Sequence, residues 1–147
     1  MSYEVSGAKR HTDVLVAEDD AHDQMLFVMA ADDSKTDMSV SFVADGEELL
    51  GELRKRAASD SLPDVLVLDM RMPRLDGHEV LDVLRDEPTI RPAVVGVFSS
   101  SHRQQDIDRS MAKGAAWHKV KPSRYEDLLS FVRQLGSNVM EEARSSN

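Results

Sequence analysis

The sequence predicts an α/β fold, a doubly wound five-stranded parallel sheet with five helices. Two observations carry this prediction. Short apolar runs recur along the chain, and a helical pattern follows each of them. Two of the runs, at residues 65–68 and 93–98, contain no polar side chain, which is typical of strands that helices cover on both faces. Such alternation favours a parallel sheet, whose ligands bind beyond the carboxyl ends of the strands.

Each element is predicted from its own local pattern. The strands are continuous or alternating apolar runs, expected at residues 14–17, 39–44, 65–68, 93–98 and 115–121. The helices repeat apolar side chains at helical spacing or fill the segments between strands, and are expected at residues 21–32, 46–58, 78–85, 103–113 and 125 to about 143. Asp45 is a suitable N-cap for the second helix, Pro88 stops the third, and Gly114 closes the fourth.

The bulk composition indicates one globular domain with a well-solvated surface. The 147 residues are 41% hydrophobic and 31% charged, with a mean hydropathy of −0.40. We expect a flexible leader at residues 1–12, one domain at residues 13–143 and a tail at residues 144–147.

The composition also argues against several classes of function. The net charge of −9 argues against nonspecific nucleic-acid binding, which needs a basic face. No apolar run approaches the roughly 20 residues of a membrane-spanning helix, and the N-terminal residues lack the apolar segment of a secretory signal. The absence of cysteine excludes disulfides, thiolate metal sites and a cysteine nucleophile. We therefore expect a cytoplasmic protein that binds neither nucleic acid nor membrane.

Polar residues stand at the carboxyl ends of four predicted strands, namely Glu18-Asp19-Asp20, Asp69, Ser99 and Lys121-Pro122. In a parallel sheet these ends share one edge. Carboxylates brought together repel one another unless a cation intervenes, and oxygen ligands with open positions favour Mg²⁺. A lysine and a hydroxyl at the same place would complete a site for a phosphate group.

Each of these residues also has a structural explanation. Asp19 or Asp20 could cap the first helix, and Asp69 could begin a turn. Ser99 could belong to the cap of the fourth helix, and Lys121 could be a solvated surface residue. The conjunction of all of them at strand ends favours a functional site.

In these motifs the chain resembles the receiver domain of two-component response regulators, over residues 13–136. The resemblance rests on VLVAEDD (14–20), VLVLDMRMPRLDG (65–77), VVGVFSSS (94–101) and GAAWHKVKP (114–122). The most specific of these is the Asp-x-x-Met-Pro-x-x-Asp-Gly run that begins at Asp69. The resemblance implies a flavodoxin-like receiver fold with strand order 2-1-3-4-5. The serine run and the KPSRYEDLL segment are similar to stand-alone regulators paired with phytochrome-type histidine kinases.

The resemblance implies a phosphoacceptor and a metal site. Asp69 matches the family's phosphoacceptor and would attack the phosphoryl group of a phosphohistidine on a partner kinase. Mg²⁺ would bridge Asp69 and the incoming phosphoryl oxygens. Asp19 is expected as a direct ligand, Glu18 as a direct or water-mediated one, and Arg71 as a ligand through its backbone carbonyl.

The resemblance also assigns the residues that would contact the phosphoryl group. Lys121 would pair with it, and a cis peptide bond would precede Pro122. Ser99 occupies the switch position, and its hydroxyl would turn toward a phosphoryl oxygen. His118 stands where the family commonly has Tyr or Phe, so the usual aromatic coupling does not carry over. Either a pH-sensitive role or an ordinary packed or exposed histidine remains open there.

Two surfaces are candidates for protein contacts. The face formed by the fourth helix, fifth strand and fifth helix is the candidate for a homodimer. Trp117, on that strand, either covers core or anchors a partner. In the first helix Met25, Leu26 and Met29 are expected to be mainly core, with the outer part of this stripe a kinase-docking surface.

The leading hypothesis is a signalling protein, rather than an enzyme, whose phosphorylation changes a protein–protein contact. The alternative is a Mg²⁺-dependent phosphohydrolase that acts through a phosphoaspartate. Arg71 counts against it, because hydrolases of the haloacid dehalogenase type usually have a second aspartate at that position. A structural adaptor would need a damaged acidic site, and an electron carrier of flavodoxin type would need a phosphate-cradling loop where the acidic residues stand.

Overall fold

The computed structural model describes residues 11–137 as a five-stranded parallel sheet in the order β2-β1-β3-β4-β5. The strands are β1 (Thr12–Ala17), β2 (Met38–Val43), β3 (Val65–Leu68), β4 (Val94–Ser99) and β5 (Trp117–Val120). The helices are α1 (Ala21–Ser34), α2 (Gly46–Ala58), α3 (Gly77–Asp86), α4 (Gln104–Ala112) and α5 (Tyr125–Ser137), and a short 3-10 helix (Pro88–Ile90) follows α3. The predicted fold class and strand order are confirmed.

Some predictions fall outside the described part of the chain. The expected leader lies there except for His11 and Thr12, and Thr12 already belongs to β1. The predicted end of the last helix near residue 143 and the tail lie there entirely. None of the helices between residues 11 and 137 is long and apolar enough to cross a membrane.

The sheet separates two apolar clusters because successive strand residues point to opposite faces. On one face, Leu15 of β1 packs in a cluster with Leu49 of α2 and Leu81 of α3. On the other, Val14 packs with Phe27 of α1 and Phe131 of α5. Every residue of β3 and β4 is buried, as their continuous apolar runs predict.

Three aspartates cap the helices that begin near the carboxyl edge of the sheet. Asp20 accepts a hydrogen bond from the backbone N–H of the third residue of α1, and Asp45 does the same at α2. Asp76 and Glu79 form a capping box at α3. The prediction for Asp45 is confirmed, as is the capping alternative for Asp20. Asp76, the second aspartate of the Asp-x-x-Met-Pro-x-x-Asp-Gly run, therefore stabilises the start of α3.

The expected core face of α1 is wrong for two of its three residues. Met25 and Met29 are 53% and 47% exposed, while Leu26 packs against the apolar cluster shared with α5. The face of α1 that is fully buried carries Phe27 and Ala30 instead. Because α1 is apolar on more than one side, its spacing alone does not select the face that packs on the sheet.

Candidate functional site

The sheet register brings Glu18 and Asp69 to one edge. Ala17 of β1 pairs with Leu68 of β3, and each of these residues is followed directly by an acid. The backbone N–H of Asp69 donates to the carbonyl of Ala17 at 3.1 Å, so the pairing continues past the last strand residue. Glu18 is 3% exposed and Asp69 is 7% exposed. Two buried carboxylates thus stand side by side and need a positive partner.

Lys121 provides a positive charge from the end of β5. Its Nζ donates to Glu18 Oε1 at 2.7 Å, to Asp23 Oδ2 at 3.1 Å and to Asp69 Oδ2 at 3.2 Å. An ammonium group has three N–H donors, and each has a carboxylate partner here. The alternative in which Lys121 is only a solvated surface residue is therefore wrong.

The pKa values at the site show how burial and charge compete. Burial raises the pKa of Glu18, the bond from Lys121 lowers it, the charge of Asp69 raises it again, and the net shift is upward. For Lys121 burial lowers the pKa, but the bond to Glu18 and the charge of Asp69 outweigh burial and raise it above its ordinary value. The lysine therefore stays charged at neutral pH, while Glu18 remains easier to protonate than an exposed glutamate.

One group of acidic side chains in the described part of the chain could hold a metal ion. It consists of Glu18, Asp19 and Asp69. Each offers one carboxylate oxygen, and these oxygens lie within 4.8 Å of one another. Asp19 is exposed, so the cluster opens to solvent and leaves positions for water or a ligand. All three donors are hard oxygen ligands, the type that Mg²⁺ takes in small numbers together with water and phosphate oxygens. The residues present therefore fit a hard divalent cation.

Arg71 and Ser99 complete the edge through backbone contacts. The N–H of Arg71 donates to Asp69 Oδ1 at 3.2 Å, which fixes the second oxygen of that carboxylate. Ser99 ends β4 and is 1% exposed, and its carbonyl accepts the N–H of Lys121 at 2.8 Å. The hydroxyl of Ser99 accepts the N–H of Ser101 at 3.2 Å. The structure thus brings every predicted site residue to the carboxyl edge of the sheet.

His118 joins β5 to the loop before α4 and to α4 itself. Its Nδ1 lies 2.8 Å from Oγ of Ser110, and its Nε2 lies 3.4 Å from the carbonyl oxygen of Ser101. The hydroxyl of Ser110 also donates to the carbonyl oxygen of Ile107 at 3.0 Å, so its oxygen can accept a hydrogen bond from Nδ1 of His118. Of the alternatives left open for this residue, the structure shows a half-buried histidine with two polar contacts.

Trp117 covers core beside β4. Its ring meets that of Phe131 edge-on, with centroids 5.3 Å apart at 83°. A β-carbon at Gly96 would lie 2.2 Å from the indole ring, so the glycine permits this close packing. Of the two readings left open by the sequence, the structure supports core coverage.

One prediction at the site is wrong and one site residue was missed. A cis peptide bond was expected before Pro122. No peptide bond of residues 11–137 is cis, so the bond between Lys121 and Pro122 is trans. Asp23 was not predicted, although it contacts Lys121. Its signal in the sequence is its position in the first turn of α1, directly beyond the acids that end β1.

A buried aspartate beside a lysine and two further acids, at the carboxyl edge of a parallel sheet of order 2-1-3-4-5, is the arrangement that the resemblance to receiver domains implies. The family model for the response regulator receiver domain matches residues 14–133. The chain belongs to this family, whose members accept phosphoryl groups in two-component signalling.

Solved structures of similar proteins agree with this assignment. Response regulator RPA3017, in red light signalling of R. palustris, is 31% identical, covers 89% of this chain and 95% of its own, and superimposes with a TM-score of 0.79. The phosphorylated cyanobacterial phytochrome response regulator RcpA is 28% identical, with the same coverages and a TM-score of 0.78. The Mn²⁺-bound form of Rcp1 from Synechocystis sp. is 25% identical, covers 84% of this chain and 91% of its own, and gives a TM-score of 0.72. The chain is therefore similar to phytochrome-associated response regulators, as the sequence motifs predict.

Proposed function

We propose that Asp69 accepts a phosphoryl group from the phosphohistidine of a sensor histidine kinase, with Mg²⁺ as the cofactor. The observation that carries this proposal is the position of the Asp69 carboxylate. It is buried, it lies 3.2 Å from the ammonium of Lys121, and it shares the cation-binding cluster with Glu18 and Asp19. Phosphoryl transfer depends on such positioning and charge neutralisation more than on covalent help from the protein.

The transfer is a substitution at phosphorus. A carboxylate oxygen of Asp69 forms the new P–O bond, the P–N bond to the histidine breaks, and the imidazole leaves with its electron pair and takes a proton. Glu18, Asp19, Asp69 and the carbonyl of Arg71 would hold Mg²⁺, which when bound neutralises the phosphoryl oxygens. Lys121 donates a hydrogen bond to one of these oxygens.

Phosphorylation would change the loop that follows β4. The hydroxyl of Ser99 now accepts the N–H of Ser101 at 3.2 Å. Turning this hydroxyl toward a phosphoryl oxygen gives up that bond and frees the start of the loop before α4. A loop biased by one new cluster of charge is an established type of switch.

The exposed face of α1 is the proposed docking surface for the kinase. Met25, Val28 and Met29 are each about half exposed, on the helix that also carries Asp23 of the site. The names of RcpA and RPA3017 connect those proteins to phytochrome or red light. We therefore propose a phytochrome-type kinase as the partner.

The face formed by α4, β5 and α5 is the proposed homodimer surface. β5 is an edge strand, with open backbone groups on one side. Met111 of α4 and Val120 of β5 are exposed apolar residues of these elements, at 43% and 36%. Light scattering with and without beryllofluoride and Mg²⁺ tests this surface, and an unchanged mass would argue against phosphorylation-dependent dimerisation.

Labelling by acetyl phosphate tests the acceptor. We expect the wild-type protein to be phosphorylated only with Mg²⁺, and Asp69→Asn to remain unlabelled. Asp86→Asn, which removes an exposed acid at the end of α3, is the matched control and should be labelled normally. Equal labelling of Asp69→Asn and wild type would overturn the assignment.

A phosphatase assay tests the alternative, a Mg²⁺-dependent phosphohydrolase. Turnover of a phosphate ester faster than the acyl phosphate decays would favour the hydrolase instead.

A further inference from the structure

Asp23 is held in place at the start of α1. It is the third residue of the helix, and its backbone N–H donates to the capping carboxylate of Asp20 at 3.0 Å. Its side chain is 37% exposed and places Oδ2 at 3.1 Å from Nζ of Lys121. This distance is nearly the same as the 3.2 Å between Lys121 and Asp69. The ammonium is therefore shared between Asp23 and the proposed acceptor.

Asp23 differs from the other two partners of Lys121 in its relation to the cation cluster. Glu18 and Asp69 belong to the group of carboxylates that can hold a metal ion, and Asp23 does not. A divalent ion in that cluster would balance the charges of Glu18 and Asp69. Asp23 would keep its full charge, and with it an undiminished attraction for the lysine.

The phosphoryl group must compete for the same ammonium. All three donors of Lys121 are engaged by carboxylates, so a phosphoryl oxygen on Asp69 gains a donor only when one of these bonds is released. Attraction toward Asp23 opposes movement of the lysine toward that oxygen.

We propose that Asp23 is a positioning residue that tethers Lys121 away from the phosphoryl group and so weakens the phosphorylated state. The inference rests on the proposed function of Asp69. Asp23 acts only through the lysine.

The affinity for beryllofluoride, which stands in for the phosphoryl group, tests the tether. We expect Asp23→Asn to bind beryllofluoride about two- to fivefold more tightly than wild type when Mg²⁺ saturates both proteins, the range that a partly exposed ion pair gives. ¹⁹F NMR measures the fractions of bound and free beryllofluoride. Asp32→Asn, which removes an exposed acid from the same helix, is the matched control and should bind like wild type.

A double-mutant cycle with Lys121→Gln separates the tether from a simple charge effect. If Asp23 acts through the lysine, Asp23→Asn changes the affinity in the wild-type background and leaves it unchanged in the Lys121→Gln background. An equal gain in both backgrounds, or no gain in either, would overturn the proposal.

Mg²⁺ binding without beryllofluoride keeps this test distinct from that of the proposed function. Release from Asp23 leaves Lys121 fully on Glu18 and Asp69, so Asp23→Asn should bind Mg²⁺ about two- to fivefold more weakly in calorimetry, and Lys121→Gln should remove this difference. If wild type fails to bind beryllofluoride while this Mg²⁺ cycle holds, the proposed function fails and the contact between Asp23 and Lys121 stands. If wild type binds beryllofluoride and neither cycle shows coupling, the tether alone fails.

Discussion

Nζ of Lys121 lies 2.7 Å from Oε1 of Glu18, although 103 residues separate them in the sequence. Glu18 follows β1 and Lys121 follows β5, and two strands, β3 and β4, lie between these in the sheet. The bond therefore spans the carboxyl edge and forms only when the sheet is complete. Since Glu18 is 3% exposed, its charge depends on this contact.

Replacing Lys121 by Met should destabilise the protein most at neutral pH. The variant leaves Glu18 and Asp69 without their ammonium partner, which costs about 3 kcal/mol of unfolding free energy for a buried pair. Lys121, whose pKa is raised, contributes its full stabilisation below its ordinary pKa of 10.5 and loses it as pH rises through the folded value. At neutral pH the variant therefore loses the whole contribution of the Lys121 charge to the unfolding free energy.

The acid side of the same profile follows from Glu18. Its folded pKa is raised above the ordinary value of 4.5, so its contribution falls as pH rises through the interval between the two values. Loss of Lys121 raises the folded pKa further, and the deficit of the variant should shrink toward about pH 4. Urea unfolding at neutral pH and at about pH 4 measures the deficit in unfolding free energy. Lys119→Met, at an exposed lysine, is the control. Equal deficits at both pH values would contradict the role of Glu18.

Mg²⁺ should raise the unfolding free energy of the protein. A ligand at a hundredfold excess over its Kd stabilises the folded state by about 2.7 kcal/mol. Thermal unfolding with MgCl₂, against NaCl of equal ionic strength, gives the measurement. Asp19→Asn should unfold like wild type in NaCl, because Asp19 is exposed, but should lose most of the Mg²⁺-dependent gain. An unreduced gain would remove Asp19 from the metal site.

His118 and Ser110 should be energetically coupled. Ser110 is fully buried, and its hydroxyl lies 2.8 Å from Nδ1 of His118. Each alanine substitution should cost about 1 kcal/mol, and the double variant should cost about 1 kcal/mol less than the sum. Urea unfolding of the four proteins measures the coupling, with the exposed His102→Ala as control. Strict additivity would show that the contact contributes nothing.

Asp76 and Gly77 should respond to substitution in different ways. Asp76→Ala removes the cap of α3 and should cost about 1 kcal/mol without changing phosphorylation. A β-carbon at Gly77 would lie 2.8 Å from Cα of Met70 and 2.9 Å from the carbonyl oxygen of Asp69. Because backbone atoms must move, Gly77→Ala should cost more than Asp76→Ala and slow the labelling of Asp69.

Gly51→Ala is the control for this pair, since a β-carbon there meets nothing within 4 Å inside α2. It should stabilise the protein by about 0.5–1 kcal/mol. The measurements are urea unfolding and the rate of labelling by acetyl phosphate. A normal labelling rate in Gly77→Ala would show that the contact with the acceptor backbone is not needed.

The sequence predicted where the candidate site residues lie because they are attached to the ends of strands. Asp69 and Lys121 stand directly beyond apolar runs, and parallel strands bring their carboxyl ends together whatever the distance along the chain. Asp23 and His118 were harder to interpret because their contacts depend on side-chain directions. The buried face of α1 was mistaken for the same reason.

The sequence by itself determined the parallel five-stranded fold and the acidic, hydroxyl and lysine residues along one edge of the sheet. Both follow from local patterns, because periodicity and the ends of apolar runs depend only on residues that are neighbours in the chain. Only the tertiary structure decided that Lys121 divides its three donors among Glu18, Asp23 and Asp69. It also decided that Met25 and Met29 face outward. Such contacts depend on how whole elements pack and on which rotamer each side chain adopts, and no local pattern specifies either.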